Sequence, residues 1–359
     1  MSKSHHRTLR WPWLVSVLTA LSVALGPGAI PAHAAPSGPA APGLTRFADF
    51  PAFPLDPATL AAQVGPQVVN INTNLGYNNA IGAGTGIVID PNGVVLTNNH
   101  VIMGATDISA FSVGSGQTYA VDIVGYDRVH DVAVIQLRGA GGLSAAAIGG
   151  GVGVGEGIVA FGNTGGQGGA PTASPGKVVA LNQAVQASEA VTGAEETLSG
   201  LIQVDAAIKP GDSGGPVVNN GGQVVGMTTA ATDTYKMSGG TGYAIPIGQA
   251  IGIAGQIRSG NGSGTVHIGP TAFLGLGVVD NGGSGARVER VVGSGPAAAA
   301  GLDVGDVITK VNNVNITGAT TMTDVLTGFH PGDTVTVIWQ SKSGGVRSQN
   351  VTLADGPPA

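Results

Sequence analysis

Short runs of Val and Ile, each closed off by Gly, Asn or Pro, recur from Val68 to Thr228, and they limit what this chain can become. Branched residues pack well on a pleated surface and poorly in a helix, while the closing residues are the ones that turn a chain back on itself. Val68–Asn72, Gly84–Ile89, Val94–Leu96, Val121–Val124, Val132–Leu137, Gly157–Phe161, Lys177–Leu181, Ile202–Asp205, Val217–Val218 and Gln223–Thr228 read as strands. Asp90-Pro91-Asn92-Gly93 reads as the turn between two of them. About a dozen such strands call for a sandwich or a barrel. Helices are few: Pro57–Val64 is one, stopped by Gly65-Pro66, and a stretch around Ile251–Arg258 is another.

Ser259-Gly260-Asn261-Gly262-Ser263-Gly264 has the composition of a flexible joint, and with 359 residues the chain has room for a second unit beyond it. That unit shows Pro296–Gly301 as a short helix, Val307–Val311 and Val314–Ile316 about an Asn312-Asn313 turn, a helix over Thr320–Leu326, and strands over Thr334–Trp339 and Val346–Leu353. At the other end, a basic start, an apolar run from Trp11 to Leu25 and Ala32-His33-Ala34 predict an export leader over residues 1–34, cut before Ala35. A Pro- and Ala-rich arm, residues 35–56, follows it.

A net charge of −6 and the lack of any Lys/Arg run argue against nucleic acid, whose phosphates require clustered cations. With no cysteine, thiol catalysis, thiolate metal sites and redox chemistry are excluded. The Gly-rich stretch 149–157 lacks the Gly-Lys-Ser/Thr of a phosphate loop and reads as a connection before a strand.

Chemistry concentrates in Gly211-Asp212-Ser213-Gly214-Gly215-Pro216. Flanking glycines allow a tight path that exposes the Ser213 hydroxyl and turns the Gly211 and Ser213 amides toward one point, where an oxyanion would form. In a chain with 62 glycines this motif also suits a plain hairpin, so the weight falls on a histidine and an acid upstream. Once the leader is removed the histidines are His100, His130, His267 and His330. His267 belongs to the joint and His330 to the small unit, neither expected in the core of the first, and His130 is expected beside Asp131. His100, in Thr97-Asn98-Asn99-His100-Val101, stands where a strand ends and can face a cleft. Asp131 opens the apolar run Asp131–Leu137, where a half-buried carboxylate can meet an imidazole N–H. Asp122 and Asp127 compete on polarity.

Thr97–Val101, Asp131-Val132-Ala133-Val134 and Gly211–Pro216, in that order, resemble the trypsin-fold serine peptidases and, within them, the HtrA/Deg group with an attached PDZ domain. The resemblance covers about residues 57–355. It implies a mainly all-β fold, a double six-stranded β-barrel of trypsin type over 57–258, a linker at 259–269, and a smaller α+β PDZ domain over 270–355. His100 and Asp131 are then expected from the first barrel and Ser213 from the second, with His100 as base, Asp131 as its orienting acid and Gly211 and Ser213 as the oxyanion hole. A first specificity pocket formed by Ala207, Thr228 and Ala244 holds no carboxylate, so small or medium aliphatic side chains are expected there. Gly226–Thr229 is expected as an edge on which substrate pairs. The implied partners are polypeptide substrates and, at Leu274, Gly275, Leu276 and Gly277, peptide C-termini. No cofactor or metal is implied, and monomer and homotrimer stay open. An exported chaperone or peptide-binding scaffold with little turnover is the alternative. One departure stands out: HtrA proteins commonly carry Asn before the serine, where this chain has Asp212, whose partner is not evident.

Overall fold

The computed structural model describes residues 56–188, 195–229 and 242–359. The expected leader, and the expected arm up to residue 55, lie outside the described residues.

Helix α1 (Pro57–Val64) forms as its sequence predicts, with the Asp56 side chain accepting from Ala58 N at its N-terminus and Leu60 and Val64 buried below. The first barrel follows: β1 (Val68–Leu75), β2 (Ala80–Asp90), β3 (Val94–Thr97), the single-turn helix α2 (Asn99–Ile102), β4 (Asp107–Ser112), β5 (Thr118–Asp127) and β6 (Val132–Leu137). All neighbours are antiparallel in the ring β1-β2-β3-β6-β5-β4, which closes where β4 pairs β1. Its interior is filled by Val69, Ile71, Val95, Ile135 and Leu137, none with accessible surface. A fully buried side chain of this size contributes about 1.5–3 kcal/mol, so the closed ring carries much of the fold's stability.

The second barrel comprises β7 (Gly157–Gly162), β8 (Thr172–Ser188), β9 (Glu195–Val204), β10 (Pro216–Val218), β11 (Val224–Thr228) and β12 (Gly242–Pro246), closed in the order β10-β11-β12-β9-β8-β7. Helix α3 (Ile247–Arg258) leaves it and packs Ala250, Ala254 and Ile257 into the apolar cluster between the barrels.

The stretch expected as a linker contains a strand, β13 (Val266–Ile268), which adds to the first barrel with His267 opposite Tyr126. His267 was expected at an open joint; instead it is buried, because Val266 beside it inserts into the core and its own backbone is paired to β5. The remaining elements are β14 (Thr271–Phe273), β15 (Leu276–Asp280), β16 (Ala286–Val291), α4 (Pro296–Ala299), β17 (Val307–Val311), β18 (Val314–Asn315), α5 (Ala319–Thr327), β19 (Thr334–Gln340), β20 (Val346–Thr352) and β21 (Ala354–Gly356). They form a sheet in the order β15-β16-β17-β19-β20, with β18 on β17, and a two-stranded ribbon of β14 and β21. Trp339, Val335, Val337 and Ile308 fill the core of this smaller body. The fold is mainly β, two closed six-stranded barrels followed by a smaller α+β domain.

Candidate active site

His100 sits on α2, one turn of helix just past the end of β3 rather than on the strand end itself. Its Nδ1 lies 3.0 and 2.9 Å from the two carboxylate oxygens of Asp131, and its backbone N–H donates to Asp131 Oδ1 at 3.0 Å. The Thr229 hydroxyl donates to Asp131 Oδ2 at 2.9 Å. Asp131 itself adopts a left-handed backbone, φ 54°, in the turn before β6, and Asn98 Nδ2 holds its carbonyl oxygen at 2.9 Å. The carboxylate is thus acceptor to three groups and fixes Nδ1 as the protonated nitrogen, leaving Nε2 as the basic one. Burial disfavours the imidazolium and is the largest single influence on His100, but the charge of Asp131 and its hydrogen bond together outweigh it, so the pKa is raised.

The competing acids lie elsewhere. Asp122 pairs with Arg138 on the surface, while buried Asp127 accepts from the backbone and Nδ1 of His130, the latter at 2.8 Å, and from the Thr265 hydroxyl. His130 was expected beside Asp131; a tight turn brings it back onto Asp127, three residues earlier, instead.

Ser213 is buried to 5% exposure in a loop that the first barrel clamps. Thr85 N donates to Ser213 O at 2.8 Å, the Thr85 hydroxyl donates to Gly211 O at 2.7 Å, and Thr97 Oγ1 donates to Thr85 O at 2.7 Å. Thr97 lies three residues before His100, so the histidine segment and the serine loop are registered on the same residue of β2. The glycines are required here: Gly214, φ 82°, would place a Cβ 2.1 Å from Thr85 O, and Gly211, φ 94°, one 2.2 Å from Asn163 O. The Gly211 N–H donates to no acceptor among the described residues.

Asp212 does find partners. The Thr164 hydroxyl donates to its Oδ1 at 2.6 Å and Lys209 N to its Oδ2 at 2.9 Å, so among the described residues it is a brace for its own loop. Burial, only partly offset by the Thr164 and Lys209 contacts, raises its pKa.

Thr228 on β11 and Ala244 on β12 are buried and directly paired, while Ala207 is exposed on the approach to the serine loop. Within the expected substrate edge, Gly226–Thr229, a correction applies to residues 226–228, which are paired on both sides because barrel closure leaves β11 no free edge; Thr229, past the end of β11, donates its N–H to Tyr243 O at 3.0 Å. Leu274, Gly275, Leu276 and Gly277 form the entry to β15, Gly275 at φ 84°. β15 is the terminal strand of its sheet. Beside it Leu276, Gly277, Val278, Val279 and Thr323 line a groove of about 320 Å³, together with Tyr77 and Arg290. Sequence reasoning missed Thr85, Asn98, Thr164 and the role of Thr229; a polar residue within an apolar run, as in Gly84-Thr85-Gly86-Ile87, was the available signal for the first.

Two family models match the chain, the trypsin-like peptidase domain over residues 84–227 and the PDZ domain over residues 272–344. Serine protease PepD of Mycobacterium tuberculosis is 33% identical over 344 residues, which is 89% of this chain and 71% of that protein. The chain belongs to the HtrA family of serine proteases. Serine protease Do-like HtrA of Lactococcus lactis subsp. cremoris is 31% identical, over 76% of this chain and 70% of that one. A solved serine endoprotease from Yersinia pestis superposes with a TM-score of 0.47 at 27% identity, covering 84% of this chain and 99% of the other. This HtrA protein is accordingly a serine endopeptidase with a PDZ domain.

Proposed function

We propose that this HtrA protease cleaves extended or unfolded polypeptides through an acyl-enzyme. Ser213 Oγ attacks the peptide carbonyl, His100 Nε2 takes the hydroxyl proton and returns it to the leaving amine, and Asp131 holds the imidazole and stabilises its charged form. The Gly211 and Ser213 amides receive the oxyanion, a contribution whose loss typically costs about 10²–10³ in turnover per donor. The observation that carries this reading is the double contact of His100 Nδ1 with Asp131, itself held by Thr229. Ala207, Thr228 and Ala244, none of them charged, support a preference for small or medium aliphatic side chains at the cleavage site. Residues 57–258 act as the protease and 270–355 as a peptide receptor, in which a C-terminal segment adds a strand beside β15 with its carboxylate on the amides of 274–277. The predicted leader places the mature enzyme outside the cytoplasm, secreted or at the envelope.

The test is casein and peptide hydrolysis with fluorophosphonate labelling, with and without a peptide of apolar C-terminus. Turnover and labelling both vanish in Ser213→Ala; labelling that persists would remove the serine from its role. Client protection without digestion by the wild-type chain would favour the chaperone reading.

A further inference from the structure

The segment after β21 leaves the ribbon of β14 and β21 and crosses to the first barrel, where residues 358 and 359 lie on the helix that carries His100. Gly104 N donates to the main-chain oxygen of Pro358 at 2.8 Å, Asn99 Nδ2 donates to that of Ala359 at 3.0 Å, and Ala359 N donates to the Tyr126 hydroxyl at 3.3 Å. The Ala359 side chain packs on the cluster that contains Ile102, Ala105 and Tyr126.

These contacts matter because α2 is only four residues long, and so short a helix has no stability of its own. Asn98 gives it no side-chain cap: its Nδ2 donates to the Asp131 carbonyl, and its Oδ1 accepts from no N–H of the helix. Val101 and Ile102 seat one side of the turn on the barrel. Asp131 takes the His100 N–H, and the tail grips Asn99 immediately before His100 and Gly104 shortly after the helix. Asn99 is buried to 4% exposure, and the tail oxygen is the acceptor for its amide N–H₂. An imidazole delivered by one turn of helix is only as well placed as that turn.

We propose that Pro358 and Ala359 are positioning residues for His100, acting through Asn99 and Gly104, so that a segment following the PDZ domain completes the protease domain's catalytic geometry. The proposal rests on the reading of His100 as the general base. It differs from a simple stabilising contact in what it changes: the placement of the base relative to the serine, and therefore turnover, with substrate binding in the second barrel left alone. A displacement of about 1 Å at a reacting group can cost on the order of 10²-fold.

In the full chain, Asn99→Ala and a version ending at Pro357 are compared with the wild type for kcat, KM, fluorophosphonate labelling rate and Tm, at a temperature where each is folded. The expected result is a fall in kcat of roughly 10- to 100-fold in each, KM unchanged and labelling slowed in parallel. Combining the two changes gives no further loss beyond the truncation, because Asn99 and Ala359 act through one bond. Wild-type kcat and labelling in folded Asn99→Ala, or losses that multiply in the double variant, would overturn the proposal. Asn99→Ala decides the matter alone if the truncated chain does not fold. The two readings fail separately: persistent labelling of Ser213→Ala removes the serine mechanism, while a fully active Asn99→Ala removes only the tail's part.

Discussion

Replacing Asp212 separates two things its carboxylate does, accept hydrogen bonds and carry a charge. The bonds run from the Thr164 hydroxyl at 2.6 Å and from Lys209 N at 2.9 Å, in a site where Asp212 is 3% exposed. In Asp212→Asn, the new Oδ1 accepts from Lys209 N and the new amide donates to the Thr164 hydroxyl, which turns from donor to acceptor. Both bonds survive, each worth about 1 kcal/mol net, and the buried charge is gone. In Asp212→Ala both bonds are lost, a charge-assisted pair worth roughly 1.5–3 kcal/mol apiece, against which the relief from burying a charge is credited. The balance is a loss of about 1–3 kcal/mol, or roughly 2–10 °C in Tm for barrels of this size. The pH dependence carries the sign. Burial lifts Asp212 above the ordinary 3.8, so in that interval the folded protein holds a proton that the unfolded chain has released. Stability from this group is therefore fullest below 3.8 and is lost as pH rises through the raised pKa, and Asp212→Asn removes this dependence. Urea midpoints from neutrality down to about pH 4 measure both effects, with active-site titration reporting whether the serine loop stays competent. An Asn variant as damaged as the Ala variant, or one whose midpoint keeps the wild-type pH slope, would refute the reasoning.

Asp131→Asn strips His100 of the charge that, with its hydrogen bond, outweighs burial, so the acid limb of kcat/KM moves to lower pH while turnover falls; a pH–rate profile with an unmoved limb would contradict the assignment. Gly214→Ala adds a Cβ that would stand 2.1 Å from Thr85 O in a left-handed conformation costing an alanine about 1–2 kcal/mol, and it displaces the serine loop. Labelling slows far more than Tm falls. Thr229→Val removes the hydroxyl that holds Asp131 Oδ2 and lowers kcat with KM unchanged, read from the same peptide assay.

Much of this architecture was legible because it rests on local chemistry. β6 (Val132–Leu137) and α1 (Pro57–Val64) match their sequence expectations residue for residue: an apolar branched run behind a polar turn in one case, a Pro start and Gly stop in the other. β4 escaped because the inner face of Asp107–Ser112 is Ile108, Ala110 and Ser112, too small and too polar to announce a buried strand. β16 escaped similarly, its alternation masked by Arg287, Glu289 and Arg290 on the outward side. The paired histidine and acid were visible as polar residues flanking strands, His100 a few positions after β3 and Asp131 immediately before β6. What held them was not, since Thr229 reaches Asp131 across 98 positions and Thr85 reaches Gly211 across 126. Contacts of that separation exist only once the barrels have closed.

The same reasoning explains why an acid can stand before the serine where the family commonly has Asn. An acid in that place needs partners for its oxygens wherever the loop turns it inward. Here a hydroxyl from one loop and an amide from the loop's own base supply them, and the charge of Lys209 adds to their effect. The carboxylate keeps its bonds at the cost of a raised pKa, which ties the loop's stability to pH in a way an amide would not. The side chain preceding the serine thus sets how the loop responds to acid, while its shape is set by Thr85, Gly211 and Gly214, through contacts in which that side chain takes no part.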